Sequence, residues 1–330
     1  MDRMREARIK IDPKSAEAVY HCVSKAVAAA YLFDGPAKET FRKQLWRAAD
    51  YCGVQVITYV ILDNHFHVTV RVPKAVPVSD TELLRRYCLY CDLSDQDDRA
   101  RLATIKCLLK TNDSKADQWR KSQLAQMGDV SAFMKKWKQR FSHWFNAVHH
   151  RIGTLWASRF CSLLVEPTGF ALEAVSAYVD LNSVRAGIVT DPKDYRFCGY
   201  AEAVTGNVVA RRGLMRIYQT LPWKHTQERY RQALFGIGAS ARKGKAAIPY
   251  ADYQRVTREK GEMPFSEVYL ARIRYFVHGG VLGSQAFVQE QLAGYENRTR
   301  KRPRTRPRPL PGPNDWHGLH MMRNVRRDAA

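Results

Sequence analysis

Long apolar runs are missing from this chain of 330 residues. No stretch of about 18 apolar residues occurs, so no membrane-spanning helix is expected. The first residues, Met1 to Pro13, are charged and lack an apolar signal core, which points to a cytoplasmic protein. Cysteine is sparse: Cys22, Cys52, Cys88, Cys91, Cys107, Cys161 and Cys198 are scattered and odd in number. That usage argues against a disulfide framework and suits a reducing compartment. The single C-x-x-C, Cys88 to Cys91, has no second pair and falls in a helical stretch, which weighs against zinc. Negative charge is also in short supply, with 32 Asp+Glu against 54 Lys+Arg and a net charge of +22. Solubility alone needs less. The excess points to a polyanionic partner, nucleic acid before an anionic membrane.

The apolar content of 45% supports a substantial core. Residues 18–27 read as a strand. Residues 36–52 read as a helix, with Phe41, Leu45, Ala49 and Cys52 three or four apart and Gly53 as its stop. Residues 54–62 and 65–72 read as a hairpin turning at Asp63-Asn64. Helices are expected over 80–91, 98–109 and 131–149, with 111–129 a polar surface excursion. A strand over 155–166 follows, then a helix from 168 to 186 capped by Thr168 and Gly187. The pattern is α+β, one antiparallel sheet with packed helices. The expected boundaries are an N-terminal lead (1–14), a main domain (15–205) with a helical insertion at about 76–150, and a helical segment and linker (206–262). A helix-turn-helix-like pair (263–296, Ser284 capping its second helix) and a basic disordered tail (297–330) complete the chain.

Chemistry concentrates in two places. In Asp63-Asn64-His65-Phe66-His67, two histidines lie one residue apart in a strand, so both imidazoles point to one face. Two such groups can hold a divalent metal; the alternative is two polar residues on an open sheet face. In the helix after Thr168, Tyr178 and Asn182 are four apart on one face that also carries Ala171, Ala174 and Val175. An Asn oxygen is an acceptable ligand for Mg²⁺ or Mn²⁺, and a Tyr one turn away could attack a metal-bound phosphate. The alternative is a Tyr packed on the sheet and an Asn near a helix end.

Four segments in order give the chain a resemblance to the REP-associated tyrosine transposases, a family of single-tyrosine HUH enzymes. They are Tyr20-His21-Cys22-Val23-Ser24-Lys25, the run Tyr59 to His67, Gly153-Thr154-Leu155-Trp156-Ala157-Ser158-Arg159-Phe160, and Tyr178 to Gly187; together they span about residues 15 to 200. The resemblance implies a ferredoxin-like HUH domain with His65 and His67 as metal ligands, Asn182 as the third, and Tyr178 as the nucleophile. It implies Mg²⁺ or Mn²⁺, no organic cofactor, and single-stranded or hairpin DNA as substrate, nicked and rejoined through a 5′-phosphotyrosine. Two positions depart from the family pattern: Asp63 and Ser183 stand where Pro is usual, and Asp63 could perturb or join the metal site.

Candidate DNA contacts are Arg159, Arg185, Lys136, Lys138 and Arg140, with Trp137, Trp144 and Trp156 as core residues or stacking faces. From Arg298 to Arg308, seven of eleven residues are basic, including Arg300, Lys301, Arg302 and Arg304. Two other readings compete with a nicking enzyme: a non-catalytic protein that binds repeat DNA, and a metal-dependent nuclease in which water is the nucleophile.

Overall fold

The computed structural model describes residues 8–91, 93–111, 114–219, 221–235, 274–299, 306–311 and 316–323. The chain begins β1 (Ala18–Lys25), α1 (Gly35–Cys52), β2 (Gln55–Ile61), β3 (His65–Val72). Asp34 caps α1 through its carboxylate and the Ala37 N–H, 2.8 Å apart, and Gly53 closes it at φ 64°. The insertion supplies α2 (Asp80–Cys88), α3 (Gln96–Thr111), α4 (Ser114–Leu124) and α5 (Val130–Val148). Next come β4 (Cys161–Val165), α6 (Gly169–Asp180), α7 (Asn182–Arg185), α8 (Gly199–Val204), α9 (Val208–Met215) and α10 (Trp223–Phe235). The last elements are α11 (Arg274–His278), β5 (Gly279–Gly283), α12 (Gln285–Thr299), β6 (Arg308–Pro309) and β7 (His320–Arg323).

The architecture is mixed α+β, with one seven-stranded sheet and twelve α-helices among the described residues. Strand order is β2-β3-β1-β4-β5-β7-β6. The first four strands are mutually antiparallel and, with α1 and α5 as crossovers, follow the ferredoxin-like βαββαβ path. Alternation along the strands builds a core on each face. Tyr20, Cys22, Phe66 and Val68 pack with Phe41 and Leu45 of α1 and Trp137 and Phe141 of α5. Val19, Val23 and Val60 pack on the other face with α6, α8 and α10.

Four expectations are corrected. The segment 111–129, read as a surface excursion, contains α4, which packs on α2 and α3. Its apolar residues are few, so periodicity understated it. The span 155–166 narrows to β4, because the chain before it forms a loop whose Trp156 bridges only to Ala26. Among the described residues, the Gly-containing stretch expected to turn between the two helices of the helix-turn-helix-like pair is β5, parallel to β4. The second helix of that pair does exist, and Ser284 caps it, the hydroxyl accepting from Phe287 N–H at 3.3 Å. The first half of that pair before residue 274 lies outside the described residues, as does the linker 236–262. Within the tail read as disordered, β6 and β7 join the sheet through buried Met321 and Met322.

The α6 helix is anchored from below by Asp180, which is fully buried. Its carboxylate accepts from Thr58 Oγ1 of β2 (2.6 Å), Cys198 Sγ (3.1 Å) and Tyr230 OH of α10 (2.5 Å). Burial raises its pKa to about 6, with the hydrogen bonds opposing that rise. Tyr230→Phe should therefore lower stability by about 1.5–3 kcal/mol, the loss of a bond to a charged group. An unchanged urea midpoint would show that the anchor contributes nothing.

Candidate active site

Strand β3 turns His65 and His67 to the α6 face of the sheet, as period two requires. The β1–β3 register sets His21 opposite Thr69 and Val23 opposite His67, so His21 and His67 are diagonal neighbours on that same face. Their rings stack with centroids 5.1 Å apart and an interplanar angle of 17°. His21 Nε2 lies 3.0 Å from His67 Nδ1, and His21 Nδ1 lies 2.8 Å from the Phe276 carbonyl.

These contacts determine the tautomers. Burial lowers the His21 pKa to about 4 and holds His67 well below the usual histidine range. Both rings are therefore neutral at pH 7. A carbonyl only accepts, so His21 carries its proton on Nδ1 and its Nε2 accepts from His67 Nδ1–H. The basic nitrogen of His67 is consequently Nε2. His65 donates from Nδ1 to Asn64 Oδ1 at 2.6 Å, which makes Nε2 its basic nitrogen too. The His65 and His67 rings stand 5.3 Å apart at 72°.

Tyr178 reaches this cluster from α6. Its ring centroid is 6.0 Å from that of His67 and 6.3 Å from that of His21. The side chain is 0% exposed, and its hydroxyl has no hydrogen-bond partner among the described residues. Phe276 of α11 packs edge-on to it at 5.2 Å, with Trp316 behind at 5.7 Å. The Arg185 guanidinium sits 4.4 Å from the Tyr178 ring centre, a cation–π contact, and also donates to Asn182 Oδ1. The Asn182 amide donates to the carbonyls of Tyr178 (2.7 Å) and Val179 (3.2 Å), at the junction of α6 and α7.

The two imidazoles suit a transition-metal ion better than Mg²⁺, with their tautomers fixed by outer partners. Asn182 fits less readily, because Arg185 occupies its oxygen and adds a positive charge. Asp63 pairs with Lys38 of α1 instead of joining the histidines. No group of three or more His, Cys, Asp or Glu side chains among the described residues is arranged to hold a metal ion.

The expected DNA contacts divide. Arg159 is exposed on the loop before β4 and Arg140 is exposed on α5, while Lys136 is half-buried with Nζ 3.8 Å from the Tyr51 ring centre. Lys138 is turned inward: Nζ donates to Ser24 Oγ at 2.7 Å, sits 4.7 Å from the Trp156 ring centre, and burial lowers its pKa to about 8. It is not available to a phosphate here. Trp137 is a core residue stacked on Phe41, and Trp156 donates to Ser142 Oγ. Arg300, Lys301, Arg302 and Arg304 lie outside the described residues. His21 was not singled out by the sequence; its signal is that it shares alternation with Val19 and Val23, which matters only once the register is known.

No family model matches the chain, and no curated protein matches it. Among solved structures, the chain is similar to a REP-associated tyrosine transposase bound to a REP hairpin, at 12% identity and a TM-score of 0.39. The match covers 63% of this chain and 88% of that one. The likeness is distant.

An unpaired buried hydroxyl is costly to the fold. Tyr178→Phe should therefore be neutral or stabilising by up to about 1 kcal/mol in denaturant unfolding. A clear loss of stability would show that the hydroxyl has a structural partner.

Proposed function

We propose that the protein nicks and rejoins single-stranded or hairpin DNA, with Tyr178 as the nucleophile. The observation that carries this reading is a buried phenol without a hydrogen-bond partner among the described residues, set against neutral imidazoles and a guanidinium. The charge of +22 supplies the attraction for a polyanion. A divalent ion held by His65 and His67, with Asn182 joining if Arg185 releases it, would supply Lewis-acid stabilisation of the phosphate. His21 would hold the His67 ring in its ligating tautomer.

The remaining chemistry belongs to the chain. A phenol is a weak nucleophile at neutral pH. Arg185 beside the ring adds positive charge next to the place the phosphate would occupy. The Tyr178 oxygen gives up its proton as it bonds to phosphorus, the P–O3′ bond breaks, and the departing oxygen takes up a proton as a 3′-hydroxyl. The product is a 5′-phosphotyrosine, and attack by a 3′-hydroxyl reverses the step without external energy. Phe276, packed on the Tyr178 ring, would have to withdraw to admit DNA.

That cover is also the observation that favours a second reading, a repeat-DNA-binding protein without catalysis. The two are separated by incubating the chain with a hairpin oligonucleotide and Mn²⁺ or Mg²⁺, then running a denaturing gel. A metal-dependent covalent adduct is expected, lost in Tyr178→Phe and in His67→Ala while hairpin binding persists. An adduct of equal yield in Tyr178→Phe excludes Tyr178 as the nucleophile. Cleavage without any adduct supports water as the nucleophile, and binding with neither supports the second reading.

A further inference from the structure

The sheet face opposite Tyr178 carries α1 and α5, and the insertion leaves a cleft of about 820 Å³ against them. Lys135, Lys136, Arg140 and His143 of α5 line it, and no carboxylate does. The basic side chains recur along one side of α5, each successive group about one turn, or 5.4 Å, further along. Lys136 Nζ sits 3.8 Å from the Tyr51 ring centre and 4.6 Å from that of Tyr90, which fixes its place in the wall. Gln44 of α1 and Tyr90 line the cleft as well. Trp144, half-buried at the edge, adds an aromatic surface.

We propose that this cleft is a second nucleic-acid site, which binds a single polynucleotide strand on the far side of the sheet from Tyr178; the proposal rests on the DNA-processing reading above. The cations neutralise phosphates along the strand and Trp144 stacks a base. Phosphate alone would leave the aromatic surface unused. An acidic peptide would satisfy the cations and leave Trp144 without a planar partner. A strand held here remains part of a substrate whose other segment enters the Tyr178 site, so nicking and retention occur on separate faces.

The test uses the full chain carrying Tyr178→Phe, so that binding is read without covalent capture. Fluorescence anisotropy with a labelled oligothymidylate is followed across a salt series. Adding Lys135→Gln and Arg140→Gln, both exposed side chains, should weaken binding roughly tenfold and reduce the salt slope by about 1.4, the value for two lost single-strand contacts. A matching thermal melt verifies the fold of this variant. Photo-cross-linking with an iodouracil-substituted strand should label the peptide containing Trp144. Unchanged affinity and slope, labelling confined to other peptides, or equal competition by polyglutamate would each overturn the proposal. The adduct gel with the wild-type chain is scored separately. An adduct with no cleft dependence removes this site and leaves nicking intact, while cleft binding without an adduct does the reverse.

Discussion

The site depends on the pairing of β1 with β3. Strand alternation gives each residue one face or the other, and a slip of one residue would exchange them. In the observed register, His21 and His67 meet on the α6 side while Tyr20, Cys22 and Phe66 fill the opposite core. The strong burial of that second core makes the register costly to change. Two neutral imidazoles are thus held in a dry place at the expense of the cohesion around them. Hydrogen bonding from His67 through His21 to the Phe276 carbonyl offsets part of that cost.

The second constraint is the cover. The sheet does not end at β4; β5 pairs with it in parallel, and β7 and β6 continue outward. This extension holds Phe276 against the Tyr178 ring, with Trp316 behind Phe276. Glu166, just after β4, fastens it by accepting from the Ser284 N–H (2.6 Å) and hydroxyl (2.9 Å). The Tyr178 hydroxyl is buried with no hydrogen-bond partner among the described residues, which costs local stability. Asp180, two residues on from Tyr178, compensates by tying the helix to β2 and α10.

Much of this was legible in the residues. The hairpin around Asp63-Asn64, the α1 stop at Gly53 and the helix bearing Tyr178 all follow from turn chemistry and periodicity. So does the sharing of one face by His65 and His67. The rest depends on long-range contacts that local pattern does not carry. His21 acquires its role only through register. Gly279 to Gly283 reads as a turn because glycine is poor in strands, yet Gly283 lies against Glu166 and Phe287, where a larger side chain would collide. Met321 and Met322 are masked in sequence by the basic run before them. Lys138 resembles its surface neighbours in type, but it falls on the inner side of α5 with Trp137 and Phe141.

The β1–β3 register fixes the tautomers so that His67 presents Nε2. Nitrogen NMR of the imidazoles in a histidine-labelled chain, with His21→Gln and His67→Gln variants for assignment, tests it directly. At pH 7, both His21 and His67 should be neutral with the proton on Nδ1, and the pyridine-like Nε2 signal of His67 should move when a diamagnetic divalent ion such as Zn²⁺ is added. A His67 ring protonated on Nε2, or charged at pH 7, would contradict the account.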